Sequence, residues 1–122
     1  MKLRIKGNSI RFRLTKTDVA NLANTGKIEE HTKFVQATLT YTLASNNSIQ
    51  QMTASFSENN VLVEVPERDV KAWPNNDIVG YEAYMPLPEG ASLFILIEKD
   101  FACLDHTHED QSDNYENPNK VC

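Results

Sequence analysis

Glycine is scarce in this chain, with four among 122 residues, so there is little material for the backbone cradles that hold phosphates or dinucleotides. No glycine-rich phosphate loop, G-x-S-x-G elbow, H-E-x-x-H helix or dinucleotide fingerprint occurs, so the short motifs of the common enzyme classes are missing. Cysteine is scarcer still. Cys103 and Cys122 are the only two, too few for a disulfide scaffold. The longest apolar run, Leu93 to Ile97, falls far short of the roughly 18 residues that cross a bilayer. Met1-Lys2 leads directly into alternating charged and apolar residues, with no apolar leader, so a cytoplasmic location with reduced thiols is expected.

What is present suits one folded domain. Hydrophobic residues make up 40% and charged residues 24%, ordinary for a globular chain, and 122 residues can bury a core without a metal or disulfide. The net charge of −5 argues against general binding to a nucleic-acid backbone. The charge is unevenly spread. Half of the 12 Lys and Arg residues fall in the first 16 positions, while Glu98, Asp100, Asp105, Glu109, Asp110, Asp113 and Glu116 gather at the other end.

The opening reads as a hairpin. Lys2 to Lys6 and Ser9 to Leu14 alternate around a Gly7-Asn8 turn, which predicts Ile5 opposite Ile10, Arg4 opposite Arg11 and Leu3 opposite Phe12. Thr15 and Asp18 form a capping-box start, Val19, Leu22 and Ala23 recur at helical spacing, and Gly26 is a stop, predicting a helix over 16–25. The stretch around His31 reads as irregular. Strands are expected over 37–43, 49–56 and around Val61, Val63 and Val65, joined as an antiparallel meander. Pro66 opens a short helix through Trp73, and strands follow over 77–85 and 92–99, the last the most buried. No internal repeat is evident. The expected fold is α+β: a curved, mostly antiparallel sheet or partly open barrel of about seven strands with two short helices. Residues 1–105 form the single domain and residues 106–122 an acidic tail, packed on it or extending from it.

The segments MKLRIKGNSIRFRLTKTDV and ILIEKDFACLD, followed by HED and SDNYENPNKVC, resemble the two ends of a family of small bacterial proteins of unknown function. The resemblance implies no activity and no catalytic residue. It does imply that the tail belongs to the domain.

Two constellations carry possible chemistry. The predicted hairpin register puts Lys2, Arg4, Arg11 and Arg13 on one face, where like charges oppose one another unless something negative covers them. The cover is the acidic last strand or tail, plain solvent, or an external acidic protein or small anionic ligand. The second constellation is Cys103, His106, His108 and Cys122, thiols and imidazoles of the kind that hold zinc or another late transition metal, with Asp105, Glu109 or Asp110 as added ligands or orienting groups. The same cysteines are alternatively a disulfide or two free thiols. His31 beside Glu29 and Glu30 is a possible general base but reads as an exposed histidine. The leading expectation is a small non-enzymatic binding or accessory module acting through the basic hairpin face. The alternative is a metal-binding or metal-dependent protein using the C-terminal Cys/His set. A hydrolase with a pocket inside the barrel is a third reading, and oligomeric state is left open.

Overall fold

The computed structural model describes residues 1–101, 113 and 115. The elements are β1 (Lys2–Lys6), β2 (Ser9–Leu14), α1 (Lys16–Thr25), β3 (Lys27–Lys33), β4 (Thr38–Asn46), β5 (Thr53–Ser57), β6 (Asn60–Pro66), α2 (Glu67–Ala72), β7 (Gly80–Pro86) and β8 (Ser92–Lys99). They build two four-stranded sheets, ordered β1-β2-β8-β7 and β3-β4-β6-β5, here called A and B. The expected α+β class therefore holds, with eight strands among the described residues rather than about seven, in two open sheets there.

The hairpin register is the predicted one, from Lys2 opposite Arg13 to Lys6 opposite Ser9. Gly7 takes a φ of 53°, the left-handed backbone that a two-residue turn demands and that glycine adopts without steric cost. Inward-facing Ile10, Phe12 and Leu14 are buried. Each such side chain contributes on the order of 1.5–3 kcal/mol. Helix α1 starts with a complete capping box: the Asp18 N–H donates to Thr15 Oγ1 at 3.2 Å and the Thr15 N–H to Asp18 Oδ2 at 3.0 Å. Gly26 ends it at φ 81°, donating to the Leu22 carbonyl at 2.9 Å. Val19, Leu22 and Ala23 face the core with Leu43, Val63, Val65, Val70, Trp73, Ile95 and Ile97.

Three expectations need correction. The stretch around His31 is strand β3, whose KIEEHTK sequence carries a single apolar residue, Ile28, so alternation is invisible there. The central strands are not a meander. β4 pairs in parallel with β6, and β5 closes on the other side of β6. Apolar alternation fixes which face of a strand is buried but says nothing about its neighbour.

The third correction is that the fold does repeat. Units β1-β2-α1-β3-β4 and β5-β6-α2-β7-β8 have the same plan, and each sheet takes one hairpin from each unit. Sheet A joins them through parallel β2 and β8, sheet B through parallel β6 and β4. Matching hydrogen bonds recur: Phe94 N–H to the Asn8 carbonyl and Thr40 N–H to the Asn59 carbonyl, then Lys99 N–H to Val79 and Ser45 N–H to Gly26. Along one constant offset Met1 matches Met52, Asn8 matches Asn59, Asp18 matches Asp69 and Val19 matches Val70. Few identities survive, and without the strand pairing they fall below notice.

Candidate functional site

The structure brings Lys2, Arg4, Arg11 and Arg13 onto the outward face of sheet A, as their register requires. Strand β8 supplies the neighbours. Phe94 lies beside Ser9, Leu96 beside Arg11 and Glu98 beside Arg13, all turned the same way. β7 adds Glu82 beside Leu96 and Tyr84 beside Phe94.

Glu98 is the electrostatic centre of this face. Its Oε1 lies 3.2 Å from Arg11 Nε and 3.2 Å from Arg13 Nη2, with Arg13 Nε at 3.3 Å. The residue is only 5% exposed. Glu98 of the last strand thus bridges two of the five hairpin cations, Arg11 and Arg13, and Lys2 Nζ stands 3.7 Å from Asp100 Oδ2. Arg4 and Lys6 are exposed further along the hairpin. Together with Arg11, Glu82, Phe94 and Leu96 they line a shallow concavity of about 390 Å³. The Tyr84 and Phe94 rings sit 5.0 Å apart beside it, inclined at 46°, with Tyr84 largely exposed. The chemistry is specific: guanidinium and ammonium groups for carboxylates or phosphates, over an apolar and aromatic floor.

The outward face of sheet B is an internal comparison, since its backbone follows the same plan. The positions matching Arg4, Lys6, Phe94, Leu96 and Tyr84 are Ser55, Ser57, Thr40, Thr42 and His31. The fold therefore accepts Ser, Thr and His at these positions, and the cations and rings that sheet A carries there are not a requirement of the strands.

Sequence reasoning missed Lys6, Glu82, Tyr84, Phe94 and Leu96. Lys6 continues the alternation of Lys2 and Arg4 and was available; the others join the site through long-range strand pairing. Sheet B holds His31, half exposed, with Nδ1 2.9 Å from Thr40 Oγ1 and Nε2 3.7 Å from Glu29 Oε1. The order acid–imidazole–hydroxyl is present, but it lies on an exposed strand surface where, among the described residues, nothing shields it from water or orients a substrate. Cys103, His106, His108 and Cys122 lie outside the described residues, and the metal, disulfide and free-thiol readings of them lie there too. Among the described residues no group of three or more His, Cys, Asp or Glu side chains is placed to hold a metal.

A separate polar cluster ties the two sheets together. The Met1 amine lies 2.9 Å from Asp18 Oδ2 and 3.4 Å from Glu30 Oε2, and Tyr41 donates to Glu30 at 3.4 Å. Burial opposes charge on Asp18, but hydrogen bonds with Thr15 and the amine outweigh it and hold the carboxyl below its ordinary range. Burial likewise opposes charge on the amine, and the Asp18 and Glu30 carboxylates outweigh it, raising its pKa. Burial, then Glu30, pushes the Tyr41 phenol up. These groups sit in a structural joint between the N-terminus, α1 and strands β3 and β4.

One family model matches residues 1–119. The chain belongs to DUF7009, a family of unknown function. No curated protein and no solved structure matches this DUF7009 chain. The match runs through the C-terminal acidic segment, so the family pattern includes that segment with the two sheets. Among the described residues of the DUF7009 chain no helix is long and apolar enough to cross a membrane.

Proposed function

We propose that the protein is a non-enzymatic binding module whose outward sheet-A face takes an acidic segment of a partner protein. The observation that carries this reading is the concavity in which Arg4, Lys6 and Arg11 surround Phe94 and Leu96. Three cations around an apolar floor favour a partner that combines carboxylates with an aromatic or aliphatic side chain. The single acid in the lining, Glu82, selects against purely polyanionic ligands and helps set register. Glu98 keeps Arg11 and Arg13 fixed before the partner arrives, which lowers the ordering cost of binding. The reading places the module in the cytoplasm.

The test is calorimetric titration with a short alternating Glu-Tyr peptide at low salt. Wild type is expected to bind, with affinity falling steeply as salt shortens the screening length from about 10 Å at 0.1 M. The pair Arg4→Glu and Lys6→Glu is expected to abolish binding, while Lys27→Glu on sheet B leaves it intact. Equal loss in both variants, or binding that ignores all three, would refute the reading.

A further inference from the structure

The geometry points to a self-association surface at the end of the molecule that carries the hairpin turns, where a second copy of the chain packs about a two-fold axis. This surface is distinct from the sheet-A concavity and shares only Lys6 with it.

Strand direction defines this end. β2, β8, β4 and β6 each start at a hairpin turn and run away from it in the parallel pairs β2–β8 and β4–β6, so in both sheets the turns lie opposite the ends that lead into α1 and α2. Across the two sheets β5 stands beside β7, where the Ala54 N–H donates to Met85 Sδ at 3.3 Å, and the chain entering β1 meets β3, where the Met1 amine lies 3.4 Å from Glu30 Oε2. The end therefore has one half from the β1-β2 and β3-β4 turns and another from the β5-β6 and β7-β8 turns.

Three features of this end are not explained by the fold. The first is apolar surface: Ile5, Phe34 and Phe56 are each at least 60% exposed, and Val35 is 99% exposed. Ile5 and Phe56 lie opposite Ile10 and Val61, which belong to the core or pack on it, so they prolong the inner faces of the two sheets into solvent. A phenylalanine buries about 150–250 Å² when fully covered, and a standard interface takes about 800 Å² from each partner, so these four side chains can supply its apolar centre.

The second feature is a charge split. Residues 5–9 and 33–38 contain Lys6 and Lys33 and no acid, while residues 56–60 and 85–92 contain Glu58 and Glu89 and no Lys or Arg. All four charged side chains are exposed. A two-fold axis lying in the end face between the halves sets Lys6 and Lys33 of each copy against Glu58 and Glu89 of the other, the self-complementary arrangement that an isologous dimer needs. The third feature is backbone strain. Glu58 and Glu89 hold left-handed φ values of 50° and 65°, and along the offset that matches the two units Glu58 falls on Gly7 at φ 53°. Glycine satisfies such a turn without steric cost, and a strained side chain is kept where contacts outside the turn use it.

Sedimentation velocity on the full-length chain tests this surface. Wild type is expected to show a monomer–dimer equilibrium with a dissociation constant on the order of 10–100 µM, as for a transient interface. Glu58→Lys with Glu89→Lys makes the whole end basic, and Lys6→Glu with Lys33→Glu makes it acidic; each variant alone is expected to self-associate at least about 100-fold more weakly. Mixed one to one, the two variants are expected to pair, because basic then meets acidic on both sides of the axis. Phe34→Ser with Phe56→Ser is expected to abolish the wild-type dimer. Fluorescence of the buried Trp73 checks that each variant is folded. A wild-type chain that stays monomeric up to about 1 mM, variants that self-associate as well as wild type, or a mixture that stays monomeric would each overturn the inference.

Discussion

Replacing Glu98 by glutamine removes the charge that organises the sheet-A face while keeping its shape. Glu98 and Arg11 have side chains 6% and 14% exposed, so their contact is well shielded; Arg13 is 38% exposed, so water screens its share. A hydrogen bond to a charged group contributes about 1.5–3 kcal/mol net. The exposed Arg13 contact is discounted to at most about 1 kcal/mol. Glutamine keeps one acceptor oxygen and recovers part of the Arg11 contact. The expected loss is about 2 kcal/mol, a fall in Tm of roughly 6–12 °C for a chain of this size. Urea unfolding followed by the fluorescence of Trp73, the single tryptophan and almost fully buried, measures it directly. The midpoint should fall with the slope unchanged, and a double-mutant cycle with Arg11→Met should show about 1–2 kcal/mol of coupling. A loss below about 0.5 kcal/mol, the range of ordinary surface substitutions, would refute this account of Glu98.

Further outcomes follow from other parts of the fold. A Cβ at Gly80 would sit 2.5 Å from the Ile97 carbonyl oxygen, so Gly80→Ala should destabilise by about 1–3 kcal/mol in the same urea assay. Glu58 adopts φ 50° in the β5-β6 turn, where a side chain is strained by about 1–2 kcal/mol; Glu58→Gly should therefore raise the urea midpoint after the flexibility of glycine is subtracted. The Asp18 carboxyl lies below its ordinary 3.8 in the fold, so its stabilisation is present above that value and is lost as pH falls through the lowered one. The Met1 amine is raised above 8.0, so its share is complete below pH 8 and is lost as pH rises through the raised value. Asp18→Asn should flatten both limbs of the stability–pH curve, and unchanged limbs would contradict the cluster.

Local signals carried much of this fold. The first hairpin and α1 were legible because turn glycine, apolar alternation, capping box and helix stop all lie within a few residues of one another. β3 was not, because an edge strand with one apolar residue owes its position to partners far away: Glu30 is held by the Met1 amine and Tyr41, not by its neighbours. The parallel β4–β6 pairing was invisible for a related reason. The link over 47–52 is long enough to pass either way, and no local residue chooses. The site followed the same division. The cations of the hairpin were visible together, but Glu98 between Arg11 and Arg13, and the Phe94 and Tyr84 rings, reach that face only through β2–β8 and β7–β8 pairing. The duplicated plan was hidden because hydrophobic character, not identity, persists at matching positions such as Leu14 and Val65 or Leu22 and Trp73.

The central claim is that the outward face of sheet A is the binding surface. Mapping amide shifts across the described residues while titrating the Glu-Tyr peptide tests it most directly. The account predicts shifts concentrated at Arg4, Lys6, Arg11, Phe94 and Leu96, with Thr40, Thr42 and Ser55 unmoved. Shifts centred on sheet B, or none at saturating peptide, would contradict it.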